Sequence, residues 1–249
     1  MQPVSPVNLF PTCIVDAVQP DVGLATARIL ERMGNVVDVP DDATCCGQPA
    51  WNAGHAAEAA TVARTTLRAL ADTPGDIVVP SGSCATMIRI FWPELFELHG
   101  DEADRAQVRD VGARTFELSE YLAARGAPAG QMQDTPPVVY HRSCHMLREL
   151  GIGDEPERIL DDYGAHRRPT ASEGRCCGFG GLFSIKLPET SIAMADEVLD
   201  AMTASGTSRV IGCDASCLIQ LRGRAEARAI DLEFAHLAEV VDAVTDGGS

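Results

Sequence analysis

Nine cysteines stand in 249 residues, and eight of them obey one spacing. Thr44-Cys45-Cys46-Gly47 recurs as Arg175-Cys176-Cys177-Gly178, an offset of 131 (176 − 45). The same offset carries Cys13 onto Cys144, and Cys84 maps onto Cys217 with an offset of 133 (217 − 84). Cys213 stands outside the pattern, with Pro80 as its counterpart, and reads as a buried or spare thiol. Neighbouring side chains in extended backbone point to opposite faces, so both cysteines of an adjacent pair do not easily chelate one ion. A turn relaxed by a following glycine brings both sulfurs to one side. A polynuclear cluster, whose irons are spread out, accepts adjacent thiolates on different irons. Single-ion zinc sites more often space their thiolates by roughly two to four residues, and the chain has no Cys-x-x-Cys. The pattern points to iron–sulfur centres with two ligand sets, Cys13, Cys45, Cys46, Cys84 and Cys144, Cys176, Cys177, Cys217. A non-enzymatic zinc-binding scaffold is the alternative from another class.

The elements that must position these thiols repeat as well. An apolar run reaches the first cysteine of each half, Val7 to Val15 and Val138 to Cys144. Helical periodicity follows over Val22 to Met33 and over Met146 to Tyr163, the latter interrupted near Gly151 to Pro156. A short strand over Val36 to Val39 leads into the first Cys-Cys-Gly turn, and helices follow over Ala56 to Ala71 and Ile192 to Ala204. Strands Ile77 to Val79 and Val210 to Gly212 stop shortly before the last cysteines, where helices open over Ala85 to Leu98 and Leu218 to Ala227. Glu117 to Leu122 and Leu232 to Val241 read as closing helices. This alternation predicts an α/β fold of two pseudo-symmetric βαβ halves with parallel sheets, a duplicated cysteine-rich domain. The expected division is 1–125 and 138–249, with a Gly/Pro-rich linker over 126–137. In such sheets, sites gather at the carboxyl ends of strands, where helix N-termini favour a thiolate.

The surface narrows the partners. Lys plus Arg total 20 against 36 Asp plus Glu, a formal charge of −16. That balance repels phosphate backbones and anionic lipid, so neither nucleic acid nor a membrane surface is expected as partner. No apolar run is long enough to span a bilayer, and Met1 to Phe10 lacks the pattern of a secretory signal, so a cytoplasmic location is expected. Thiols in that compartment stay reduced, which leaves metal or redox chemistry to account for the cysteines.

At these residues the sequence resembles the cysteine-rich (CCG-domain) proteins of the LutA/YkgE lactate-utilisation family and, more distantly, the cysteine-rich subunit of heterodisulfide reductase. The matching stretches are Cys45-Cys46-Gly47-Gln48-Pro49, Pro80-Ser81-Gly82-Ser83-Cys84, Tyr140-His141-Arg142-Ser143-Cys144-His145 and Cys176-Cys177-Gly178-Phe179-Gly180-Gly181. The resemblance implies an iron–sulfur electron-transfer subunit of a system oxidising L-lactate to pyruvate, with one or two [4Fe–4S] clusters per chain. It implies as partners the other iron–sulfur or redox subunits of that system. The fullest family pattern has five cysteines per set, and here Ser81 and Asp214 replace the fifth. That departure counts against a heterodisulfide-reductase-like subunit acting on a thiol or disulfide. No two-electron cofactor motif is present, which favours an oxidoreductase component over a complete enzyme.

Further residues stand near the cysteines. His141 and His145 flank Cys144 at i, i+4 spacing, which on a helix would place them on one face. They read as a hydrogen-bonded pair at a strand-to-helix junction rather than as iron ligands, since the thiolate sets are already complete, with His145 a candidate proton relay. Lys186 and Arg142 are candidates to anchor a carboxylate such as lactate or pyruvate, against the plainer reading of surface or salt-bridged cations. The glycine-rich run Gly178 to Ser184 does not satisfy the dinucleotide fingerprint.

Overall fold

The computed structural model describes residues 6–132 and 136–246. The first half runs β1 (Pro6–Leu9), α1 (Cys13–Val18), α2 (Pro20–Arg32), β2 (Val36–Asp38), α3 (Gln48–Asn52), α4 (Ala56–Ala71) and β3 (Asp76–Val79). It continues through α5 (Gly82–Thr86), a π-helical turn (Met87–Phe91), α6 (Trp92–His99), α7 (Glu102–Ala113), β4 (Thr115–Glu117) and α8 (Leu118–Arg125). The second half runs β5 (Val138–His141), a π-helical turn (Met146–Leu150), α9 (Glu155–Asp162), α10 (Phe183–Lys186) and α11 (Pro188–Ala204). It ends with β6 (Arg209–Gly212), α12 (Ala215–Ala227), β7 (Glu233–His236) and α13 (Leu237–Thr245). Of the segment 126–137 expected to join the halves, residues 133–135 lie outside the described residues.

Both sheets are parallel, in the orders β2-β1-β3-β4 and β5-β6-β7. Their registers correspond residue for residue. Val7 pairs with Asp76 as Val138 pairs with Arg209, and Val79 pairs with Glu117 as Gly212 pairs with His236. Strands buried on both faces need no alternation, which explains Ile77-Val78-Val79 and Val210-Ile211. Helices cover them with one apolar stripe each. On α2 the stripe is Val22, Ala25, Ile29 and Leu30, and on α4 it is Ala59, Ala63, Leu67 and Leu70.

Two segments differ from expectation. The first closing helix stands where it was expected, with an unforeseen strand β4 just ahead of it, whereas the second begins late because β7 occupies the start of the stretch where helix was expected from Leu232. Strands of three and four residues carry too little periodicity to stand out beside a helix. The counterpart of β2 in the second half shrinks to one bridge, Val138 to Arg167. Pro169 follows closely and has no N–H for a ladder.

The halves are fused about a pseudo-twofold axis. Helix α13 packs on α2, and its counterpart α8 packs on α9, so each half closes on the first long helix of the other. A shared core joins Val15, Ile29, Leu118 and Tyr121 to Tyr140, Ile159, Ile211 and Leu237. Ser81 and Asp214, equivalent by the offset of 133 (214 − 81), form an antiparallel bridge across the axis. Among the described residues no helix is long and apolar enough to cross a membrane.

Candidate metal centres

Each Cys-Cys-Gly turn is fixed by the same device. Gly47 and Gly178 have φ of 86° and 83°, in the left-handed region where a Cβ is strained. Space forbids a Cβ as well, since it would come to 2.8 Å from Ala59 O and 2.5 Å from Ser191 O. The glycine amide turns inward and donates to the first sulfur, Gly47 N to Cys45 Sγ and Gly178 N to Cys176 Sγ, both at 3.4 Å. Neighbouring helices hold the turns. Thr66 Oγ1 donates to Cys45 O at 3.0 Å and Trp92 Nε1 to Cys46 O at 2.9 Å. In the second half Ser191 Oγ donates to Gly178 O at 2.8 Å.

The sulfurs converge at the carboxyl ends of the strands, as the parallel sheet requires. Cys13 and Cys45 Sγ lie 3.6 Å apart, and Cys46 and Cys84 Sγ 3.2 Å apart. In the second set Cys177 and Cys217 Sγ are separated by 3.0 Å, and Cys144 stands close enough to Cys176 for each to shift the other's pKa. All nine cysteines are free thiols. Hydrogen bonds from Cys13, Cys46 and the Gly47 amide hold Cys45 down at about 3. Cys176, held by Cys144, Cys177 and the Gly178 amide, lies at about 2. Their partners Cys13, Cys46, Cys144 and Cys177 are raised, first by sharing a proton with that thiolate and then by burial. Each set thus concentrates negative charge that a cationic centre would balance, with release of the remaining protons. Cys213 belongs to neither set; it lies buried in the shared core, where Tyr140 Oη donates to its sulfur at 3.4 Å.

Both sets open on one crevice between the halves. Two adjoining cavities of about 80 and 50 Å³ share Gln48, Asn52, Ser83, Phe179, Asp214 and Ser216 in their walls. Gly181 lets the loop after the second turn approach α3, where a Cβ would lie 3.2 Å from Pro49. Asp214 spans the halves, accepting from Ser83 N at 2.8 Å and from Ser216 Oγ at 2.5 Å. A larger groove of about 710 Å³, beside Arg167 and Glu157, has no cysteine in its walls.

His145 lines the crevice, with Nδ1 3.8 Å from Cys144 Sγ and its ring edge-on to Phe91 of the first half. His141 does not share a helix face with it, because His141 ends β5. Its ring is buried, which pushes its pKa down to about 4 and keeps it neutral. It offers a nitrogen within 4.8 Å of the Cys177 and Cys217 sulfurs, and Nε2 is buried with no partner. Spacing alone assigns His141 no role apart from His145, although the offset of 131 that pairs the cysteines also sets it against Phe10. Arg142 is committed to Glu157 at 2.9 Å and Asp154 at 3.5 Å, and Lys186 is exposed on α10. Neither lines the crevice, where His145 is the one basic side chain among the described lining residues.

The family model described as "Cysteine-rich domain" (CCG) matches twice, over residues 7–89 and 138–222. Lactate utilization protein A of Geobacillus kaustophilus is 38% identical over 243 residues, covering 95% of this chain and 98% of the relative. The protein of that name from Exiguobacterium sp. is 38% identical over 239 residues, covering 95% and 96%. Among solved structures, a hypothetical protein from Helicobacter pylori shares the fold with a TM-score of 0.64 at 9% identity. That similarity covers 100% of this chain and 50% of the other.

Proposed function

This chain belongs to the lactate utilization protein A family of cysteine-rich (CCG) proteins, and from that premise we propose that it is the electron-transfer component of a system that oxidises L-lactate to pyruvate. Each cysteine set holds a [4Fe–4S] cluster, the first through Cys13, Cys45, Cys46 and Cys84, the second through Cys144, Cys176, Cys177 and Cys217. The observation that carries this reading is the convergence of four free thiols, from three separate points of the chain, in each half. A cluster in such a site supplies reversible one-electron transfer.

The chain's own residues would prepare the sites. Gly47 and Gly178 amides stabilise the thiolate form of Cys45 and Cys176, and burial of Cys46, Cys84, Cys177 and Cys217 keeps water from the inner sulfurs. Lactate oxidation removes a hydride equivalent, which needs a two-electron cofactor. Among the described residues the crevice offers no guanidinium or ammonium to a carboxylate, which supports oxidation of lactate on a partner and passage of single electrons here. The partners in this reading are the other redox subunits of the same system.

Anaerobic purification with iron and labile-sulfide counts tests the assignment. Cys45→Ser and Cys176→Ser should each lose about half of the iron. Colourless protein with stoichiometric zinc would overturn the reading in favour of a zinc scaffold. Growth on lactate unimpaired by deletion of the gene would remove the pathway while leaving the clusters.

A further inference from the structure

The two centres are built alike in sulfur and unlike in what surrounds it. The offset of 131 sets His141 against Phe10 (141 − 131 = 10), and the ladders agree. Phe10 N donates to Val78 O just beyond β1, and His141 closes β5 opposite Gly212. Phe10 is buried in one apolar cluster with Cys46 and Cys84. His141 stands by Cys177 and Cys217, the counterparts of those two cysteines. The first centre therefore meets a phenyl ring where the second meets an imidazole. The imidazole Nε2 is buried without a hydrogen-bond partner, a condition native proteins rarely leave standing.

We propose that an imidazole N–H of His141 is committed to a sulfur of the centre held by the second set, giving that centre the higher reduction potential of the two. This rests on the reading that both sets hold iron–sulfur clusters. Hydrogen bonds to cluster sulfur stabilise the reduced, more negative state, so the centre that receives one is easier to reduce. A second exchange lies beside the same centre, because Ile14 of the first half is replaced by His145, whose Nδ1 stands 3.8 Å from Cys144 Sγ. Asp214 carries the opposing charge. It accepts from Ser83 N of the first half and Ser216 N of the second and lines both cavities, so it weighs on both centres. The transfer is one electron, lost by the first centre and gained by the second, with no proton moved. The first centre is then the entry and the second the exit of the chain.

The test is a redox titration of the full-length reconstituted protein followed by electron paramagnetic resonance. Cys45→Ser and Cys176→Ser identify which signal belongs to which set. The second centre should titrate at the more positive potential. His141→Phe, which copies the first half, should lower the second potential, leave the first unchanged and keep the iron content. His141→Gln, which retains a donor, should preserve most of the difference, and Phe10→His should raise the first potential. Equal potentials in the native protein, or a His141→Phe protein with unaltered potentials, would overturn the proposal. Loss of iron in His141→Phe would overturn it too, by making the imidazole a ligand. Absence of iron and sulfide from the native protein would defeat the cluster reading itself, before any potential is measured.

Discussion

At the scale of single residues, the chemistry depends on positions where another side chain cannot stand. Gly47→Ala and Gly178→Ala combine a left-handed φ with a collision against a helix carbonyl, and each should cost roughly 1–3 kcal/mol and weaken metal retention. Gly54→Ala is the control, since Gly54 has φ of 81° but nothing within 4 Å of a Cβ. Thermal melts with metal analysis should show Gly54→Ala strained but still loaded. Buried N-caps form a second pair. Glu117 and His236 occupy equivalent ladder positions and cap α8 and α13. Burial raises Glu117 to about 8 against donation from Ser119, and its Oε1 has no partner. Burial lowers His236 to about 4, so both residues are uncharged near neutrality. The groups facing Glu117 are Glu120, Ser119, Tyr140 and Cys213. A carboxyl held above its unfolded value binds its proton more tightly in the folded state. Its contribution is therefore full below the unfolded pKa and lost as pH rises through about 8. Urea unfolding compared at about pH 6 and about pH 9 should show this loss, and Glu117→Gln should flatten it.

At the scale of elements, the exchange of closing helices binds the halves. Helix α13 is clamped to α2 by Asp242, which takes Arg28 at 2.5 Å and Arg32 at 2.7 Å. The arginines are partly exposed, so Asp242→Ala should cost only about 0.5–1 kcal/mol, read from the urea midpoint. Close approach matters more. A Cβ on Gly82, at the start of α5, would overlap Met146 Cγ of the other half. Gly82→Val should loosen the crevice by forcing α5 and the turn after β5 apart. Increased reactivity of Cys84 and Cys217 toward a thiol reagent in metal-free protein would check this, with unchanged reactivity counting against it. The π-helical turns at Met87–Phe91 and Met146–Leu150 sit beside that contact, and Phe91 at the end of the first meets, edge-on, His145 just ahead of the second.

At the scale of the whole molecule, a shared apolar cluster joins the two halves beside the separate core of each, so a single cooperative transition is expected. Trp51 and Trp92 both report on the first half, whereas far-ultraviolet circular dichroism reports on both. Coincident urea transitions by the two probes would confirm one unit, and a separated pair would show two. The sequence by itself determined the duplication, the parallel α/β class and the division of eight cysteines into two sets. Those signals are local or periodic: a glycine that must turn, helices with an apolar stripe, and identical spacings that survive in one dimension. Only the tertiary structure decided that the two sets share a crevice, that Arg142 is spent on Glu157 and Asp154, and that a ring nitrogen of His141 lies within 4.8 Å of the Cys177 and Cys217 sulfurs. It also decided that β4 and β7 precede the closing helices. Each of these depends on contacts between separate elements, such as a ladder neighbour, a helix further along the same half or the facing half. The Cys-Cys-Gly turns could therefore be read from spacing, while what distinguishes the two centres required the strand, turn and helix of each half to be brought together.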